Sequence, residues 1–177
     1  MDYSEKTLTS KRVYDGIIIN VSIEDVMLPD GRVAKRELVE HNGGVGVIAL
    51  DDDNYAYMVR QYRVPARDMM LEIPAGKLEK GENPLECGKR ELIEETGYKA
   101  EEFIHLGEYF ATPGYCCEKL NIYLARKLEF VGENPDDGEF VEVEKYHIDE
   151  LYNMVMENKI YDTKTAIAIL KAKMLIG

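Results

Sequence analysis

Residues 83–97 leave the backbone little choice. Asn83 can accept from the first free amides of a helix, Pro84 suits the first helical position, and Glu86 completes a capping-box-like spacing. Gly97 stands where a left-handed residue ends a helix. The spacing predicts a helix over Pro84–Thr96, with Leu85 and Leu92 on a face that can pack. Glu91, Glu94 and Glu95 stand at i, i+3 and i+4 and share one face within about 100° of arc. Three carboxylates so close repel one another, which costs stability unless something cationic sits among them. Oxygen-rich ligand sets suit hard cations, above all Mg²⁺ or Mn²⁺. Arg90 can brace the acidic face through charge-assisted hydrogen bonds. Gly76 and Gly81 permit a tight loop that folds back over the helix.

Around this helix the chain reads as β-rich, helix, β-rich, helices. Residues 12–28 and 32–40 have β character and are joined by the turn signal Pro29-Asp30-Gly31. GGVGVIAL (43–50) is an apolar strand, Asp51-Asp52-Asp53-Asn54 a polar turn, YAYMVRQYRV (55–64) a strand, and MLEIPAG (70–76) a short strand ending in a loop. Strands are expected at 103–110, 119–130 and 139–147, and helices near 148–158 and 162–175. Asp136-Asp137-Gly138 reads as a hairpin turn, since the other ligands of a calcium-binding loop are absent. GGVGV leads into a strand and not a helix, so it is not a phosphate-binding loop. The order implies an α+β or α/β/α sandwich with a mixed sheet, not a doubly wound parallel sheet.

The 177 residues suffice for one domain with a sizeable core. No run of about 18 apolar residues exists, so no transmembrane helix is expected. The N-terminal MDYSEKTLTSKR lacks a signal peptide's apolar core, which predicts a cytoplasmic location. A formal net charge of -12 disfavours nucleic acid as a partner. It leaves room for a small phosphorylated substrate, because a bound cation reverses the local field. Cys87, Cys116 and Cys117 lack metal-ligand spacing and are read as reduced thiols. His41, His105 and His147 are scattered and have no metal spacing.

GKLEKGENPLECGKRELIEETGY (76–98) resembles the signature of the Nudix hydrolases. That signature is a glycine, five residues, Glu, seven residues, Arg-Glu, an aliphatic, any residue, Glu-Glu, any residue, Gly and an aliphatic. Gly76, Glu82, Arg90, Glu91, Leu92, Glu94, Glu95 and Gly97 match at the right spacing, and Tyr98 departs where an aliphatic is usual. The resemblance implies the Nudix fold and hydrolysis of a nucleoside diphosphate linked to another group. It implies Glu91 and Glu95 as principal metal ligands, Glu94 as a ligand or water-positioning residue, and Glu82 as an auxiliary ligand. The Ala75 carbonyl is a further ligand by the same resemblance.

Features outside the signature resemble the ADP-ribose pyrophosphatase subgroup. They are KREL (35–38), QYR (61–63), LEIPAGKLEKGE (71–82), ATPGY (111–115) with Pro113 at the subgroup's distance, and YDTKTA (161–166). The subgroup implies Arg36 and Glu37 as nucleotide contacts, often across a dimer, and Arg63 near the substrate phosphates. Glu118, after the Pro113 loop, is a candidate general base. An acid is frequent in the subgroup where this chain has Cys117. The resemblance divides the chain into an N-terminal β region (1–42) for dimerisation and substrate contacts, and a hydrolase domain (43–177). The expectation is Mg²⁺-dependent hydrolysis of ADP-ribose or a related ADP-sugar by a homodimer. The alternatives are another substrate (GDP-mannose, a dinucleoside polyphosphate, a flavin dinucleotide) and an ADP-ribose-binding module without catalysis.

Overall fold

The computed structural model describes residues 2–132 and 140–177. Along the chain lie β1 (Lys6–Asp15), β2 (Asn20–Met27), β3 (Val33–Glu40), β4 (Gly44–Leu50), β5 (Tyr55–Arg63), β6 (Asp68–Glu72), β7 (Ala75–Lys77), α1 (Pro84–Thr96), β8 (Tyr98–Phe110), β9 (Lys119–Phe130), β10 (Glu142–His147), α2 (Ile148–Met156) and α3 (Thr163–Ile176). Contacts divide them into two compact units. One holds the residues up to Gly43 with Phe110–Lys119; the other holds Gly44–Tyr109 with Leu120–Gly177.

In the second unit the sheet runs β10-β5-β4-β9-β8, with β6 added beside β5 and β7 beside β4. β4 pairs parallel with β9 and antiparallel with β5 and β7, so the sheet is mixed. All seven residues of β4 are buried, which is why its sequence is a continuous apolar run and not an alternating one. Val45, Val47 and Ala49 pack with Cys87 and Leu92 of α1. Ile48 and Leu50 pack with Leu151 of α2 and Ile169 of α3. The result is the α/β/α sandwich expected. Gly88 sets how closely α1 approaches the sheet: a Cβ there would lie 3.1 Å from Cγ2 of both Val45 and Val47. Leu92 is wholly buried on that face, a burial that contributes roughly 1.5–3 kcal/mol.

The bounds of α1 follow local chemistry. The Asn83 Oδ1 accepts from the Leu85 amide at 2.8 Å, and Gly97, at φ 75°, donates to the Ile93 carbonyl at 2.8 Å. The reciprocal half of the capping box is absent: Glu86 pairs with Lys89 at 2.8 Å instead. The strand expected from 103 begins at Tyr98, whose ring lies 4.1 Å from that of Tyr57. An aromatic layer therefore occupies the signature's aliphatic position. MLEIPAG is two strands, β6 and β7, because Pro74 offers no amide to a ladder. Asp136-Asp137-Gly138 and the first residue of the strand expected at 139–147 lie outside the described residues.

In the first unit β1, β2 and β3 form an antiparallel sheet. Residues 12–28, read as one β segment, are parts of two strands. The break comes at Gly16, whose amide donates to the Ile19 carbonyl at 3.0 Å and to Asn20 Oδ1 at 3.3 Å. The apolar run Ile17-Ile18-Ile19 that suggested continuity is exposed in this turn. Among the described residues no helix is long and apolar enough to cross a membrane.

Candidate active site

Two acids of α1 and one that precedes the helix meet around one cation. Arg90 Nη1 lies 2.8 Å from Glu91 Oε1 and 2.7 Å from Glu94 Oε2, and its Nη2 lies 3.5 Å from Glu82 Oε1. This is the cationic neighbour that three clustered carboxylates require. Burial works against the Arg90 charge, but the charge of Glu91 and the bond to Glu94 outweigh it and raise its pKa. Glu82 is held below the usual carboxylate range by the Glu79 amide, which donates to it at 2.9 Å, and by Arg90. Among the described residues no three His, Cys, Asp or Glu side chains stand as a ready cation cage; Arg90 holds three of the acids together.

Glu95 faces the first residue of β7. It is only 5% exposed, and its Oε2 accepts from the Ala75 amide at 2.8 Å. Gly76 is required by contact and not by an unusual φ. A Cβ on it would stand 1.8 Å from Glu91 Oε1 and 1.9 Å from Glu91 Cδ. The signature glycine is thus the floor on which the Glu91 carboxylate rests. Arg90 gathers Glu82, Glu91 and Glu94, while Glu95 and Glu91 meet the backbone at Ala75 and Gly76.

Arg63, at the end of β5, joins a network absent from the sequence reading. Its Nε and Nη2 donate to the two oxygens of Glu72 at 2.7 and 2.8 Å. Glu72 is 2% exposed and also accepts from Lys164 Nζ, itself 3.0 Å from Asp162 Oδ2. Burial opposes the Glu72 charge, but the bond from Arg63 and the charge of Lys164 outweigh it and lower its pKa. The signal available in the sequence was a Glu inside the apolar run MLEIPAG, since a buried carboxylate needs a cationic partner.

The remaining candidates lie in the first unit. Arg36 pairs with Glu5, Nε to Oε2 at 2.9 Å and Nη2 to Oε1 at 2.5 Å, while Glu37 is exposed. Pro113 is exposed in the loop between β8 and β9. That loop is tied to β3: the Val39 amide donates to the Tyr115 carbonyl at 2.7 Å, and the Cys117 amide to the Val39 carbonyl at 3.0 Å. Glu118 Oε1 lies 3.4 Å from His41 Nδ1, which accepts from the Gly43 amide at 3.0 Å.

The three thiols differ sharply. Cys87 is buried, and burial together with the charges of Glu82 and Glu91 pushes its pKa up to about 12. Cys116 is buried and Cys117 exposed. A thiolate-selective disulfide reagent at neutral pH is expected to label one thiol rapidly in the folded protein and all three after unfolding. Cys117→Ser removes the rapid phase. A rapid phase that survives this substitution contradicts the assignment.

The NUDIX domain profile matches residues 40–165. The ADP-ribose pyrophosphatase of Bacillus subtilis (strain 168) is 41% identical over 167 residues, covering 93% of this chain and 90% of that protein. A Bacillus methanolicus protein named methanol dehydrogenase activator is 41% identical over 170 residues, 94% of this chain and 91% of its own. The crystal structure of an ADP compounds hydrolase superposes with a TM-score of 0.85 at 20% identity, covering 97% of this chain and 94% of that one. That last likeness is one of fold.

Proposed function

This chain belongs to the Nudix family, and from that premise we propose that it hydrolyses the diphosphate bond of ADP-ribose, or of a closely related ADP-sugar, to AMP and ribose 5-phosphate, with Mg²⁺ as cofactor and Mn²⁺ as an alternative. The observation that carries the chemistry is the convergence of Glu82, Glu91 and Glu94 on Arg90, beside Glu95 on the Ala75 amide. Support for the substrate comes from the relative named ADP-ribose pyrophosphatase, which matches nearly end to end.

The donor set fits a divalent cation. Glu91 and Glu95 would be its principal ligands, with Glu94, Glu82 and the Ala75 carbonyl completing the set, and Gly76 leaves Glu91 the room it needs. A cation held there would supply charge to neutralise the diphosphate and would make a water more acidic. The chain's own residues do the rest. Arg90 keeps the clustered acids from repelling one another. Arg63 offers its guanidinium to the diphosphate. Arg36 and Glu37 hold the nucleotide, Pro113 shapes the loop that carries Glu118, and Glu118 takes the proton of the attacking water.

Gly76→Ala tests the floor under Glu91. The new methyl meets the far end of a flexible side chain, so the fold persists while Glu91 is pushed off its position. The expected result is a turnover lower by about 10²-fold with an unfolding midpoint close to that of the parent chain. Undiminished turnover would show that Glu91 does not need this place.

The cytoplasmic location and the homodimer belong to the same proposal, with the N-terminal β region (1–42) as dimerisation element and 43–177 as hydrolase domain. Sedimentation of a chain lacking 1–42 is expected to show a monomer; a truncated dimer contradicts it. A second reading is favoured by the equal identity to the methanol dehydrogenase activator: action on a dehydrogenase partner. Assaying a methanol dehydrogenase with and without the chain, in parallel with release of AMP from ADP-ribose, separates the two.

A further inference from the structure

Four charged side chains in the second unit form a closed, charge-balanced row: Arg63 on β5, Glu72 on β6, and Asp162 and Lys164 at the start of α3. Glu72 and Lys164 are separated by 92 residues in sequence, and both are buried. Removing two ions from water costs several kcal/mol per ion, so such a pair is a weak device for stability alone. Its geometry has a direction. Glu72 takes Nε and Nη2 of Arg63, fixing the plane of the guanidinium through two parallel bonds. Nη1 has no partner among the described residues, and the Arg63 side chain is 39% exposed. Glu95, on the acidic face of α1, is among the charges that act on this guanidinium. The Arg63 guanidinium therefore lies within electrostatic reach of the proposed cation-binding acids.

The anchor of Glu72 comes from α3. Lys164 bonds to the Glu72 oxygen that also receives Nη2, and Asp162 fixes Lys164 and caps the helix, accepting from the Thr165 amide at 3.0 Å. Thr165 Oγ1 in turn accepts from the Ile73 amide at 3.0 Å, beside Glu72. Gly46 leaves room for this arrangement, since a Cβ there would lie 3.7 Å from Lys164 Cδ and 2.7 Å from Ile73 Cδ1. Without Lys164, Glu72 keeps Arg63 as its cationic partner and is free to draw it inward.

We propose that Lys164 is a positioning residue for the substrate diphosphate, acting through Glu72 to hold the Nη1 edge of Arg63 outward. The inference rests on the proposed function and deepens it. It makes the buried start of α3 part of substrate recognition, although Lys164 does not touch the substrate.

The test is a double-mutant cycle read by binding, with no metal present. Calorimetry in EDTA measures affinity for the α,β-methylene analogue of ADP-ribose. Lys164→Met is expected to weaken binding about tenfold in the parent chain and by less than about twofold in the Arg63→Ala background. Lys164→Arg restores affinity to within about threefold of the parent. If Lys164→Met fails to fold, Glu72→Gln takes its place in the cycle with the same expected coupling. Equal losses in both backgrounds mean a merely structural role and overturn the inference, as does an unchanged affinity in the parent chain. Release of AMP from ADP-ribose is measured in parallel. Coupled binding without AMP release overturns the proposed reaction and keeps the positioning role. AMP release with additive binding losses overturns the positioning role alone. A parent chain that does not bind the analogue without metal overturns the positioning role, and one that also releases no AMP overturns both.

Discussion

Glu95→Gln is expected to lower Mg²⁺-dependent release of AMP from ADP-ribose by about 10³-fold or more, equivalent to about 4 kcal/mol of transition-state stabilisation. The substitution is close to isosteric, and the amide oxygen still accepts from the Ala75 amide that Glu95 Oε2 meets at 2.8 Å. The start of β7 is therefore kept, and so is the fold. What is lost is a negative charge at a position only 5% exposed, where water screens little and a ligand's charge counts most. Steady-state kinetics over a Mg²⁺ titration, with the unfolding midpoint as control, read the effect. A folded variant that retains turnover removes this face of α1 as the metal platform.

Glu118→Gln is expected to lower turnover by about 10³-fold, within the range for loss of the proposed general base. The side chain stands next to His41, 3.4 Å away, on a loop fastened to β3 through Val39. Gln keeps the size of Glu118 and leaves those backbone bonds untouched, so the loop stays in place while proton acceptance is lost. Two further readouts separate this role from a structural one. Metal affinity is expected to stay at the parent value, and the unfolding midpoint close to that of the parent chain. Turnover equal to that of the parent chain would remove Glu118 from the mechanism and shift attention to the other acids near the diphosphate.

Legibility from sequence tracked the range of the interactions involved. The α1 helix was legible to the residue because its cap, its first-turn proline and its terminal glycine all act within a few positions. β4 was legible as an apolar run, and its burial on both faces explains the lack of alternation. The Gly16 turn was hidden because Ile17, Ile18 and Ile19 mimic a strand while a backbone bond and Asn20 turn the chain. The early start of β8 was hidden because Tyr98 stacks on Tyr57, a partner on another strand.

The site divides in the same way. Glu91, Glu94 and Glu95 declare themselves by helical spacing, and Arg90 by adjacency. The reason for Gly76 is visible only when Glu91 is seen where a Cβ would stand. Glu72 and Lys164 were legible as residues but not as a pair, since 92 positions separate them and no local pattern couples them. Their partner Arg63 was legible only by resemblance, and its fixed orientation came from the fold.

The most direct test of the proposed reaction is product identification after incubating the chain with ADP-ribose and Mg²⁺ in ¹⁸O-labelled water. The expected result is AMP and ribose 5-phosphate in equal amounts, with ¹⁸O from water in the phosphate of one of them. ADP-ribose recovered intact, or cleaved to any other pair of products, would contradict it.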